Sequence, residues 1–272
     1  MQFAVVKGRG REIPPLVIVA WTQAVAFLAW LAFFAVSGFP LARPGAAWPA
    51  VGASAVLVIG MNGLLARASA RGDISIVGPV FALSPIFTVL PDFLLSGTVP
   101  SALGWFGLAL AIGGTVSLSG GAAGATLRAV FARRDALDAL GAAILLGFVA
   151  AVDRWAALVM GPPSYLLYSH GTTAAITTIL ALATVPRGLA QSIAPRNLVT
   201  LVSHGLLGVT GTGMQTTALT MAPAAYVNAI RRMSAVIAVV LGRTLFRESD
   251  MGRRLVAALL ACAGAACLVL AH

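Results

Sequence analysis

The sequence predicts an all-α integral membrane protein. Of its 272 residues, 59% are hydrophobic and only 10% are charged, whereas a soluble domain carries about 25% charged residues to keep its surface wetted. The mean hydropathy is +0.95. The apolar residues also gather into runs close to the ~20 residues that a helix needs to cross a bilayer.

Nine spans are read in order, at 14–37, 46–66, 74–96, 102–119, 137–160, 163–185, 197–221, 223–246 and 252–271. Turn or charge signals separate them. Gly38 and Pro40 close the first, Arg71 to Asp73 the second, and Ser96 to Pro100 the third. Gly161, Pro162 and Pro163 divide the fifth from the sixth; Pro186 to Gly188 and Arg247 to Asp250 mark later breaks. The first span follows Lys7, Arg9 and Arg11 and runs too long for the apolar region of a cleaved signal peptide, so it is read as a true span. The longest hydrophilic stretch, 120–136, holds Arg128, Arg133, Arg134 and Asp135 and divides the chain into 1–119 and 137–272.

The formal net charge is +10. A nucleic-acid partner needs a dense, wetted basic patch, whereas these basic residues, all Arg but Lys7, are scattered between apolar runs. Fourteen of the 18 fall on one side, in the N-terminal tail and alternate loops; the other side has Arg43 and Arg154. The positive-inside rule then places Met1 in the cytoplasm and His272 outside an inner or plasma membrane. Cys262 and Cys267 point about 140° apart on a helix and read as packing residues. His170, His204 and His272 form no ligand spacing, and phosphate-loop, nucleophile-elbow and HExxH motifs are missing. Neither a cofactor nor chemistry on a substrate is expected.

An internal repeat is visible. An offset of 150 aligns 60–118 with 210–268 without a gap, placing Gly63 on Gly213, Val77 on Val227, Ser84 on Ser234 and Gly114 on Gly264. An offset of 148 places Pro14-Pro15 on Pro162-Pro163. The second half then has five spans and the first only four. Phe3 to Arg9 reads as the tail of a helix, so the expectation is a 5+5 protein lacking its first helix in this sequence; a nine-span protein with a polar tail is the alternative. An odd number of spans per repeat inverts one half relative to the other.

Several motifs resemble the EamA repeat of the drug/metabolite transporter superfamily. In the first half these are Pro85-Ile-Phe-Thr-Val-Leu, Leu94-Leu-Ser-Gly-Thr, Gly104 and Gly113-Gly114; in the second, Tyr226-Val-Asn-Ala-Ile-Arg-Arg-Met-Ser, Leu241-Gly-Arg-Thr-Leu-Phe-Arg-Glu248 and Gly264. The family's helix-ending Gly-to-Glu spacing stands at Gly242 and Glu248, with Thr98 in the Glu position of the first copy. Asp153-Arg154 resembles an acidic-basic pair of some members. The resemblance implies ten helices in two inverted repeats around a cavity, moving metabolites, amino acids or drugs by alternating access. A non-transporting membrane scaffold or inactive truncated carrier is the alternative.

Polar groups at membrane depth are expensive and therefore mark function by default. Arg231 and Arg232 lie about eight residues into their span, where an unpaired Arg costs about 2.5–3.5 kcal/mol or more. One reading is an anion site gripping a carboxylate or phosphate; the other is an Arg that snorkels or pairs with Asp92 or Asp153. Asn228 shares a face with Arg232, with Tyr226 near the helix mouth. Gln215, Tyr168, Gln23, Trp21 and Asn62 are further candidates for substrate contact. The threonines 210, 212, 216, 217 and 220 could line a wet cavity but read for the most part as packing, and Asp92 reads as a proton-coupling carboxylate or a counter-ion. Asp153-Arg154 reads as orienting a helix end. Gly107-x-x-x-Ala111, Ala109-x-x-x-Gly113 and Ala261-x-x-x-Ala265 allow close helix approach, within the chain first and in a homodimer second.

Overall fold

A computed structural model describes residues 13–71, 74–118, 133–232 and 251–271. Among them the secondary structure is helical, joined by short turns, and helices occupy the described part of every predicted span. The elements are α1 (Pro15–Ser37), a 3-10 turn (Gly45–Ala47), α2 (Trp48–Arg71), α3 (Ile74–Phe81), α4 (Ser84–Ser96) and α5 (Ala102–Leu118). They continue with α6 (Arg134–Met160), α7 (Pro162–Thr184), α8 (Pro186–Ser192), α9 (Pro195–Met221), α10 (Ala224–Arg232) and α11 (Met251–Leu270).

Proline and glycine set many of these limits. Helices α1, α7, α8 and α9 all begin on a proline, whose missing N–H is unpaired at that position anyway and whose φ is already helical. Helix α4 ends at Gly97, whose φ of 66° lies in the left-handed region that glycine enters at little cost. Its amide closes the helix on Phe93 O at 2.8 Å. Among the described residues, four stretches are long and apolar enough to cross a membrane in one piece: Pro15–Ser37, Gly45–Arg71, Arg134–Met160 and Pro162–Thr184. Helices α4 and α5 are shorter and apolar.

Two features depart from the sequence reading. The span expected at 74–96 is two helices, α3 and α4, separated at Ala82 and Leu83. Pro85 explains the break: it cannot donate to Phe81 O, and its ring crowds that carbonyl. Leu83 instead closes a turn on Val80 O at 3.2 Å. The break expected around Pro186 contains a short helix, α8.

The chain forms two compact units, Met1–Ile59 with Asp153–Thr220, and Gly60–Val152 with Met221–His272. The divisions fall inside α2 and α6. In the first unit α1 packs along α7, and Ile13, Val17, Ala181 and Leu201 form a buried cluster. A second cluster joins Ala47, Val51, Ala156, Ala157, Met160 and Tyr165. Outward from these, Leu28, Leu31 and Val36 of α1 are exposed, as residues facing lipid tails are.

In the second unit α5 packs along α11 closely enough to need glycine on both sides. A Cβ on Gly107 would lie 2.9 Å from Gly264 O, and one on Gly114 would lie 2.5 Å from Ala261 N. The stripes Gly107-x-x-x-Ala111 and Ala261-x-x-x-Ala265 are thus buried inside this unit. Leu108, Ala225, Tyr226, Ala229 and Leu268 continue that core. Leu65, Ala68, Val77, Val80, Ala136, Ala139 and Ala142 make another.

Candidate functional site

In the first unit, three consecutive residues of α1 reach three different elements. Successive helical side chains are about 100° apart, so a run of three sweeps more than half the circumference. Trp21 Nε1 donates to Ser192 Oγ on α8 at 2.8 Å. The Thr22 hydroxyl donates to Ile18 O at 2.8 Å and lies 3.1 Å from His204 Nδ1 on α9. Because its only proton is engaged with Ile18, His204 is assigned as the donor to Thr22. Gln23 Oε1 accepts from Nδ1 of His170 on α7, a ring 7% exposed. Thr212 Oγ1 of α9 lies 3.4 Å from the other ring nitrogen. A polar belt therefore crosses α1, α7 and α9 between apolar layers.

A second polar group of this unit centres on Asp153. Its Oδ1 accepts from Ser54 Oγ at 2.6 Å and from the Tyr165 hydroxyl. Ser54 and Tyr165 are both buried, and their oxygens are 3.1 Å apart. The neighbouring Arg154 turns elsewhere, Nε donating to Leu219 O at 3.0 Å. Leu219 is near the end of α9, where the last carbonyls have no intrahelical donor and a cation is favoured by the helix dipole. Tyr168, half-buried one turn beyond Tyr165, meets Trp48 edge-on at 5.5 Å.

In the second unit, Asp92 is 2% exposed and its Oδ2 accepts the Ala224 N–H at 2.8 Å. That amide is the first of α10 and has no acceptor within its own helix. One turn away on both helices, Asn228 Nδ2 donates to Thr88 Oγ1 at 3.0 Å, while the Thr88 hydroxyl donates to Ser84 O. The Tyr226 hydroxyl accepts the Ser101 N–H at 3.2 Å. Gly104 lies against that ring so closely that a Cβ would overlap the hydroxyl. Arg231 is exposed. Arg232 is the last described residue of α10, and its side chain lies outside what is described.

Comparison with known proteins bears on residues 1–120, which match the model of the EamA-like transporter family. This segment is EamA-like. No curated protein matches the chain. One solved crystal structure superposes with a TM-score of 0.76 at 18% identity, covering 99% of this chain and 92% of that one. At that identity the likeness shows the fold alone. The apolar helices are those of a multi-pass membrane protein.

The candidates divide between the two units. Trp21, Gln23, Tyr168, Asp153, Arg154 and Gln215 belong to the first, and Asn62, Asp92, Tyr226, Asn228, Arg231 and Arg232 to the second. Gln23 and Trp21 sit in the polar belt; Gln215 and Asn62 are half-buried on α9 and α2. Tyr226 and Asn228 are buried in helix contacts. Most α9 threonines bond their own helix, Thr212 to Gly208 O, Thr217 to Gly213 O and Thr220 to Thr217 O, the back-bonding open to a helical hydroxyl.

Sequence reasoning missed His170 and His204. The usable signal was their position inside apolar spans, where any ionisable side chain is a functional candidate; testing them only for metal spacing hid it. Among the described residues, no three of His, Cys, Asp and Glu gather as metal ligands. A groove of about 350 Å³ in the second unit is lined by Ile86, Val89, Leu90, Phe93, Val99 and Trp105. That lining suits a hydrocarbon chain and offers a polar solute little.

Proposed function

We propose that this chain moves a small metabolite across the inner membrane by alternating access between two inverted half-bundles, 1–119 and 137–272. The supporting observation is the set of polar and ionisable side chains held inside apolar helices: Gln23, His170 and Thr212 in one unit, Asp92 and Asn228 in the other. Such groups cost insertion energy, and a purely passive bundle has little need of them. Helix lengths add support to the inverted repeat: α1 and α7 both have 23 residues.

Arg231 and Arg232 point to an anionic or zwitterionic substrate, gripped through a carboxylate or phosphate. Trp21, Gln23, Asn62, Tyr168, Gln215, Tyr226 and Asn228 are the further contacts of this reading. The protein supplies binding and a conformational change, and the substrate leaves chemically unaltered.

Comparative metabolite profiling tests the proposal, inside and outside cells expressing the parent chain or Arg232→Ala at matched membrane levels. The expected result is a solute that changes compartment only with the parent. Equal profiles for cells with and without the well-inserted parent chain would favour a membrane scaffold.

A further inference from the structure

Two polar rungs cross the seam between α4 and α10. Asp92 accepts the Ala224 amide at 2.8 Å, and Asn228 donates to Thr88 at 3.0 Å. Thr88 and Asp92 are four apart on α4, as Ala224 and Asn228 are on α10, a spacing that keeps both members on one helix face. The numbering rises along one helix as it falls along the other, so the rungs pair the helices antiparallel. Thr88, Asp92, Ala224 and Asn228 are all buried.

A single contact leaves a helix free to pivot; two contacts one turn apart set both its rotation and its depth. The Asp92 rung also meets a need peculiar to α10. The first amide of a helix requires an outside acceptor, and in a bilayer an unpaired backbone group is expensive. Pro223, just before the helix, has no side chain that can cap it. The acceptor comes from α4 instead, and a carboxylate is the right charge for a helix N-terminus. Arg231 and Arg232 follow on the same helix, about 11 Å beyond Ala224 at 1.5 Å per residue.

We infer that Thr88 and Asp92 are positioning residues for Arg231 and Arg232, holding α10 in the one register that presents the arginines to substrate. This rests on the reading of the arginines as the substrate grip. Spin labels at Leu90→Cys and Ile230→Cys, both exposed positions, report the α4–α10 distance in the full chain in bilayer discs, with Cys262 and Cys267 replaced by serine. A narrow distance distribution is expected for the parent and for Asp92→Asn, whose amide oxygen still accepts the Ala224 N–H. Asp92→Ala should broaden it. Thr88→Val, similar in shape but lacking the hydroxyl, should broaden it less and serves if Asp92→Ala fails to fold.

Cells at matched membrane levels give the functional readout. The Asp92→Ala solute profile should match that of Arg232→Ala, and Asp92→Asn should restore the parent profile. Distributions as narrow as the parent's in Asp92→Ala and Thr88→Val would overturn the inference at the level of structure. Broadening with an unchanged solute profile would leave the rungs standing but refute the positioning role, whereas an unchanged profile in Arg232→Ala would refute the reading of the arginines as the grip.

Discussion

Asp153 shows how a membrane helix accommodates a buried carboxylate. Two buried hydroxyls, Ser54 and Tyr165, donate to one oxygen, and Arg154, its neighbour in sequence, turns to a helix end. Hydrogen bonds to charged groups contribute about 1.5–3 kcal/mol each, so Tyr165→Phe and Ser54→Ala should each lower the thermal midpoint of purified protein. Because both act on one oxygen and lie close to each other, the double variant should show a coupling energy of about 0.5–3 kcal/mol. Simple additivity in that cycle would count against the shared carboxylate. At this scale the sequence was legible only in part. The cost of a buried charge flags Asp153 and Asp92 from composition, but Ser54 and Ala224, a partner of each, stand 99 and 132 residues away, beyond the reach of helical periodicity. Thr88 and Ser101 carry no signal at all until Asn228 and Tyr226 are placed beside them.

Helix boundaries were more legible, since local chemistry sets them. The proline starts of α1 and α7 and the glycine end of α4 follow from the residues themselves. The division of 74–96 was written there too, in Pro85, but a run of apolar residues hides a break that needs no polar group. The α5–α11 contact gives a direct test of element packing. A Cβ on Gly264 would lie 2.7 Å from Gly107 O, whereas one on Gly113 meets nothing within 4 Å. Overpacking costs about 1–3 kcal/mol, so Gly264→Ala should lower the thermal midpoint in detergent. Gly113→Ala should leave it unchanged or raise it, since alanine favours a helix by about 1 kcal/mol over glycine. Equal effects would mean that α5 and α11 do not approach so closely.

For the molecule as a whole, the expected orientation follows from where the arginines fall, and it is directly measurable. Alkaline phosphatase fused after His272 should be active outside the cytoplasm, and a fusion within 120–136 should be inactive. The reverse pattern would refute the positive-inside assignment. The class of the fold was plain from composition, because a chain with 10% charged residues has too few to wet a globular surface. The grouping of helices into compact units was not, because it depends on contacts between segments far apart in the chain.

That grouping has a consequence for how the protein is made. Trp21, Thr22 and Gln23 find their partners 171, 182 and 147 residues later. Helix α1 is apolar enough to enter the bilayer as soon as it is synthesised, but the residues that answer its polar side chains are then still untranslated. The nascent chain must wait in the membrane with those groups unmatched, open to lipid headgroups, to water or to quality-control proteases. The segment that matches a family by sequence is therefore not a segment that completes its own folding. A fragment ending at residue 120 should insert and yet be degraded faster than the whole chain, and supplying residues 137–272 as a second polypeptide should protect it.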